Sequence, residues 1–278
     1  MMDDIDTARR WFAEDLRAVA PVRDDRVVEA FATVPRERFL GPGPWDLHSR
    51  LDIAKTYPSP DADPRWLCHD VLVTIDAASG INNGLPSLWA MVFDALGVTR
   101  GETVLQVGAG VGYYTAILAE LAGPTGRVIG YEVDAGLAAR AKAALADRDA
   151  VEVRAGNAVL ADDLPDLDVV VAFAGATHVP PPWLSRLRPG GRIVLPVTGE
   201  RGWGIFLHVT RSDDCLPVRS LGPCGFYPCA GARRDAEARA WDRLLAEGWP
   251  GAGSYHLGRA PDGTPALIAG DGWWIAPA

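Results

Sequence analysis

Apolar positions recur at helical spacing at the start of the chain. From Thr103 they change to short apolar runs alternating with helical stretches. Trp11, Phe12, Leu16 and Val19 form the first helical stripe, with Asp6 and Thr7 as caps. Val27, Val28 and Phe31 form a second, beginning after Asp24 and stopped by Pro35. Pro42, Pro44, Pro58, Pro60 and Pro64 then predict an irregular stretch, of the kind that serves as a lid. A helix over 85–96 closes at Gly97. Strands follow at 103–107, 127–133, 151–154, 168–173 and 191–197, with helices at 135–146 and 180–187. This alternation predicts an α/β fold with a doubly wound, mostly parallel sheet. Strands at 204–211 and 216–229, with no helix between them, pair antiparallel. A helix at 236–247 precedes a tail in which Asp262-Gly263 signals a hairpin.

The run TVLQVGAGVGYYTAILA carries the candidate chemistry. A buried strand (Val104, Leu105, Val107) ends in the turn Gly108-Ala109-Gly110-Val111-Gly112 and opens directly into a helix. Such a turn lets backbone N–H groups approach a polar ligand closely, although a plain tight turn also accounts for the glycines. A dinucleotide fingerprint needs glycine at the sixth position, where this chain has Tyr113, so a pyrophosphate on the helix is disfavoured. Glu132 ends the next strand near the roughly 20-residue offset at which an acidic residue takes ribose hydroxyls. Together these residues point to a nucleoside-containing ligand.

Composition mainly excludes. A net charge of −9 with no Lys/Arg run opposes nucleic-acid binding. No run approaches the roughly 20 apolar residues of a membrane span, so a cytoplasmic location is expected. Cys68, Cys215, Cys224 and Cys229 form no CxxC pair and have no histidine at ligand spacing, which predicts reduced thiols and no metal site. No Ser-His-Asp or Cys-His arrangement is evident. His178, just after the fourth core strand, lies at the ligand edge of such a sheet. It also precedes a Pro-Pro-Pro helix start, where it caps or faces solvent.

Three segments in order, VPRERFL, VGAGVGYYTAILAEL and HVPPPWLSRLRPGGRIVLPV, resemble protein-L-isoaspartate O-methyltransferases, with the similarity running from about Val27 to Arg234. The resemblance implies a Rossmann-like sheet of seven strands with a reversed last strand, and S-adenosylmethionine as cofactor. It divides the chain into N-terminal helices, lid and substrate loop (1–98), a cofactor domain (99–234) and a C-terminal extension (235–278). By the same resemblance Gly108, Ala109, Gly110, Gly112, Tyr113, Glu132, Val133, Asn157 and Ala158 bind the cofactor. Asn157 stands where the family has aspartate, and Gln106 where a carboxylate is common.

At the substrate end, the family's GQTISQP is replaced by Gly80-Ile81-Asn82-Asn83-Gly84-Leu85-Pro86. Asn82 and Asn83 are the expected catalytic donors to the acceptor carboxylate, because a side-chain amide can donate to one. Gly84, Leu85, His178, Phe226 and Pro228 are the expected substrate contacts. The alternative for NNG is a turn before a helix. The expected acceptor is an isoaspartyl-type carboxylate in a peptide or protein. The alternatives are a small molecule or modified peptide, favoured by the altered loop, or an idle cofactor-binding module. Under the small-molecule or modified-peptide reading, threonine at 82 and serine at 84 should recover a trace of isoaspartyl activity. Oligomeric state is not legible.

Overall fold

In the computed structural model, which describes residues 4–49, 51–212, 216–249 and 251–277, the chain sorts into two units. One comprises Met1–Gly101, Ala109–Arg127 and Asp134–Val153, and the other Glu102–Gly108, Val128–Val133 and Arg154–Ala278.

The first unit is mainly helical. Helix α1 (Asp4–Val19) starts before the expected caps, so Asp4 and Asp6 lie within its first turn, where acidic groups suit the helix dipole. Its buried face is Arg9, Phe12, Ala13 and Leu16, while Trp11 is 73% exposed. The expected stripe is therefore corrected: Arg9 occupies an apolar position because its guanidinium is paired with Asp6 (2.8 Å) and Glu37 (2.7 Å). Helix α2 (Asp25–Thr33) is capped by the Asp24 side chain, which accepts from the Arg26 N–H, and buries Val27, Val28 and Phe31. After α3 (Glu37–Leu40) the proline-rich stretch is not irregular throughout. Strand β1 (Asp46–His48) pairs antiparallel with β2 (Thr56–Pro58), and a 3₁₀ turn follows at Pro64–Leu67. Its prolines lie outside or at the end of this ribbon, where a missing N–H removes little of the ladder.

Strands β3 (Thr74–Asp76) and β4 (Ile81–Asn82) form a second small ribbon, leading into α4 (Pro86–Leu96). Gly97 closes α4 in the left-handed conformation. Helices α5 (Tyr113–Ala122) and α6 (Ala135–Ala144) complete the unit. Its core is aromatic: Phe31 packs edge-on against Phe12, Tyr113 and Tyr114, and Trp89 against Phe93 and Tyr114. Such contacts add to the burial of large apolar areas.

The second unit is built on the sheet. The strands of that sheet are β5 (Thr103–Val107), β6 (Arg127–Glu132), β7 (Val151–Ala155), β8 (Leu167–Ala172), β9 (Leu187–Thr198), β10 (Trp203–Thr210), β11 (Leu216–Gly225), β12 (Ala252–Leu257), β13 (Ile268–Gly270) and β14 (Trp273–Pro277), of which Arg127 and Val151–Val153 are counted in the first unit. They lie in the order β13-β14-β12-β11-β10-β9-β8-β5-β6-β7. β5 and β9 pair parallel with β8 on either side, and every step from β9 outward to β13 is antiparallel. The sheet thus runs past the seven strands implied by the resemblance, because the C-terminal segment covers the otherwise open edge of β11. The tail hairpin turns at Asp271-Gly272, between Gly270 and its partner Trp273, and not at Asp262-Gly263. The latter pair forms a separate turn closed by Thr264 N–H to Pro261 O.

Helix α7 (Pro181–Arg186) packs on β8, and α8 (Asp235–Glu247) on β9, β10 and β13. Trp241 of α8 stacks on Trp273, which stacks on Tyr255 of β12. At the centre of this layer sits one buried carboxylate, Glu237. It accepts from Thr177 Oγ1 (2.6 Å), Trp273 Nε1 (2.8 Å), His178 Nδ1 (2.9 Å), Arg234 (3.0 Å) and the Asp271 N–H (3.1 Å). Burial alone pushes the Glu237 carboxyl up. The hydrogen bonds from His178, Thr177 and Trp273 outweigh it and hold the group at about 2.

A carboxyl held below its unfolded value stabilises the fold above pH ~4.5, and that stability fades as pH falls toward 2. Wild type should lose on the order of 3 kcal/mol through this group across that window. Urea unfolding of Glu237→Ala at neutral pH should show a loss of about 3–5 kcal/mol, as expected when a buried pair is broken. An unchanged acid limb in the variant would show that Glu237 is not the group responsible.

Candidate active site

In the second unit β5 leaves the sheet through Gly108, and β6 ends at Glu132. Gly108 has φ +84°, donates its N–H to Tyr131 O (2.8 Å), and would place a Cβ 3.3 Å from Phe173 Cβ. Only glycine suits both the angle and the closeness. The fully buried Gln106 donates to Gly108 O (3.4 Å), so the residue that replaces the family's carboxylate braces the turn from below. Glu132 is buried, and its carbonyl accepts from the Gly156 N–H (2.8 Å). The next residue, Val133, is 62% exposed, an apolar side chain left open at a strand end.

The turn continues into the first unit through Ala109, which is buried, to Gly112, the N-cap of α5. Gly112 has φ +94°, and a Cβ there would meet Leu145 Cδ1 at 2.8 Å and Ala141 Cβ at 3.2 Å, so this glycine serves helix packing. Gly110 differs. At φ +56° its hypothetical Cβ meets nothing within 4 Å, so the turn at this point borders open space.

The Tyr113 side chain is packed inside the first unit. Tyr113 is 1% exposed and packs against Phe31, Phe39 and Tyr114, with the Arg36 guanidinium over its ring at 5.7 Å. Burial pushes its phenol well up, so it stays neutral. At the first position of α5 its backbone N–H has no partner within the helix. Ala158 is likewise buried, and its carbonyl takes the Trp183 indole N–H (3.0 Å). Asn157 holds its own chain: Oδ1 accepts from Val159 N–H (2.9 Å) and Nδ2 donates to Ala230 O (3.0 Å).

In the substrate loop of the first unit, Asn82 Oδ1 accepts from the Gly84 N–H (2.8 Å), the local turn that Asn-rich loops favour. Asn83 is buried, donates its backbone N–H to Val73 O (2.8 Å), and keeps a buried side-chain Nδ2 without a partner among the described residues. A buried donor left unmade is costly. Gly84 sits at φ +75° with its carbonyl on Tyr114 Oη (3.0 Å). A Cβ there would lie 2.7 Å from Nε1 of the buried Trp89. Serine at 84 is therefore excluded, and restoring the family's hydroxyl there is corrected from a rescue to a disruption. Leu85 is half-buried and N-caps α4 without a side-chain bond.

His178 neither caps α7 nor faces solvent. It is buried, and its Nδ1 is held by Glu237. Because an ionised carboxylate can only accept, Nδ1 carries the proton. Phe226 packs edge-on against Phe206, and Pro228 lies exposed beside Gly175, to which it is bridged in parallel.

Sequence reasoning missed Glu237. Its signal was a carboxylate on the face that also carries Trp241 and Leu244, an apolar position of α8. Cys68, Cys224 and Cys229 are free, with burial pushing their thiols up to about 11, 12 and 11. Cys215 lies outside the described residues. Among the described residues no group of three or more His, Cys, Asp or Glu side chains is placed to hold a metal, and no helix is long and apolar enough to cross a membrane.

The protein-L-isoaspartate(D-aspartate) O-methyltransferase family model matches residues 68–234. A protein-L-isoaspartate O-methyltransferase of Methanopyrus kandleri is 32% identical over 229 residues, covering 81% of this chain and 92% of that one. One from Anaeromyxobacter dehalogenans is 34% identical over 212 residues, covering 74% and 90%. A solved protein-L-isoaspartate O-methyltransferase superposes with TM-score 0.67 at 19% identity, over 97% of this chain and 88% of its own. A Plasmodium falciparum structure described as such an enzyme, in complex with S-adenosyl-L-homocysteine, gives TM-score 0.63 at 18% identity, over 80% and 97%. The α/β class read from the strand and helix pattern agrees with these folds. The chain belongs to the protein-L-isoaspartate(D-aspartate) O-methyltransferase family.

Proposed function

We propose that the protein binds S-adenosylmethionine at the turn Gly108–Gly112 and transfers its methyl group to an isoaspartyl-type carboxylate of a peptide or protein. The observation that carries the cofactor reading is Gly110, whose left-handed backbone borders open space where a side chain would otherwise stand. The residues present fit the group. Glu132 supplies a buried carboxylate for a ribose hydroxyl pair, Val133 an exposed apolar surface for a base, and the turn its backbone N–H groups. S-adenosylmethionine, when bound, supplies an electrophilic methyl on a sulfonium.

The rest is the work of the chain. A carboxylate acceptor is ionised at neutral pH and needs no general base, so the protein's task is to orient it and exclude water. Asn83 Nδ2 is the group best suited to orient it, with Asn82 shaping the loop by its bond to Gly84. Exposed Tyr227 and Pro228 lie on a segment whose backbone can hold a peptide. The free thiols of Cys68, Cys224 and Cys229 suit a reducing, cytoplasmic setting. A second reading, an acceptor other than isoaspartate, is favoured by Gly84, since the loop has no room for the family's serine.

Calorimetry with S-adenosylhomocysteine should show binding by wild type and none by Gly110→Val, with the variant's circular dichroism unchanged. NAD should not bind. Glu132→Ala should weaken binding by about 1–3 kcal/mol, the cost of a lost charged acceptor. Normal binding by Gly110→Val would remove the turn from the site.

With an isoaspartyl peptide, Asn83→Ala should lower kcat/KM by about tenfold or more, the loss of a hydrogen bond to a charged group. Gly84→Ser should lower it as well. Indifference to Asn83→Ala would return the loop to a helix-entry turn.

A further inference from the structure

Residues 226–234 form a strap beyond the end of β8, fastened largely by backbone bonds to the stretch that follows that strand. Gly175 donates to Tyr227 O (2.7 Å), Cys229 to Gly175 O (2.8 Å) and Thr177 to Ala232 O (2.9 Å). Along its other side Asn157 Nδ2 donates to Ala230 O (3.0 Å), and Arg233 reaches Gly175 O (3.2 Å) and Gly199 O (2.8 Å). The strap keeps Tyr227 half exposed and Pro228 exposed. The ligand edge of an open α/β sheet lies beyond the carboxyl ends of its strands, which is where this strap runs.

The far end of the strap depends on one hydroxyl. Thr177 Oγ1 donates to Glu237 Oε2 (2.6 Å) and accepts from the Arg234 N–H (3.2 Å). A hydroxyl has a single proton. The ionised carboxylate claims it, which leaves the oxygen lone pairs for Arg234 N–H. Glu237 also takes the Arg234 guanidinium (3.0 Å) and His178 Nδ1 (2.9 Å). It stands outside the residues 68–234 that match the family model.

We propose that Glu237 is a positioning residue for the methyl acceptor: acting through Thr177, His178 and Arg234, it fixes the strap that holds the acceptor's backbone. This rests on the reading of residues 226–234 as the acceptor's seat. The C-terminal extension thereby contributes to acceptor binding without touching either reactant, and the cofactor turn does not depend on it.

The test compares wild type, Glu237→Gln, the near-isosteric Thr177→Val and the hydroxyl-preserving Thr177→Ser, all at neutral pH. Hydrogen exchange at the Cys229, Ala232 and Arg234 amides should speed up about tenfold or more in Glu237→Gln and Thr177→Val, and return toward wild type in Thr177→Ser. In Thr177→Val, amides of β5 and β8, and the Kd for S-adenosylhomocysteine, should be unchanged. For an isoaspartyl peptide, KM should rise about tenfold with kcat nearly constant, the signature of lost acceptor binding. Unchanged strap exchange in Thr177→Val, or equal acceleration across the whole unit, overturns the proposal. So does faster strap exchange with an unaltered acceptor KM. If wild type leaves the isoaspartyl peptide unmethylated, the substrate reading fails by itself, and the exchange data alone decide whether Glu237 holds the strap.

Discussion

The path of the main chain from β5 into α5 is the constraint on which the rest depends. Three glycines at positive φ, Gly108 at +84°, Gly110 at +56° and Gly112 at +94°, bend the chain where side chains would be strained. Their reasons differ. Gly108 and Gly112 are small because Phe173 and the Leu145–Ala141 pair stand against them. Gly110 is small although nothing of the protein opposes it. Packing and backbone angle together explain the first two; at the third the left-handed angle alone requires glycine, and the space beside it stays open.

A second constraint is electrostatic. Glu237 is a buried carboxylate that stays charged because five donors converge on it from the β8 exit, the strap and the tail hairpin. A buried charge of this kind is costly to leave uncompensated, so these segments are coupled more tightly than apolar contacts alone would make them. Around it Trp241, Trp273 and Tyr255 stack face to face, making the C-terminal segment part of the sheet layer. The first unit is held differently, by an aromatic cluster about Phe31 and by the part-buried Arg9–Glu37 pair.

The strands from Thr103 to Thr198 were legible because apolar runs and glycine turns report directly on a parallel core. So were the cap at Asp24 and the left-handed Gly97. What failed depended on partners distant in sequence. Arg9 takes an apolar position only because Glu37 meets it, Trp11 is thereby left in solvent, and the tail turns at Asp271-Gly272 because β14 pairs with both β12 and β13. In the candidate site, the turn glycines and the place of Glu132 at a strand end could be read from spacing. The partnerless Asn83 amide and the steric bar at Gly84 could not, since both depend on what surrounds the loop.

Family membership, the open turn at Gly110 and the buried amide of Asn83 converge on methyl transfer to a peptide carboxylate. The most direct measurement is incubation of the protein with methyl-labelled S-adenosylmethionine and an isoaspartyl peptide beside its aspartyl twin. The account predicts a base-labile methyl ester on the isoaspartyl peptide and essentially none on the twin. Equal labelling of both, or no ester on either by a protein that binds S-adenosylhomocysteine, would contradict it.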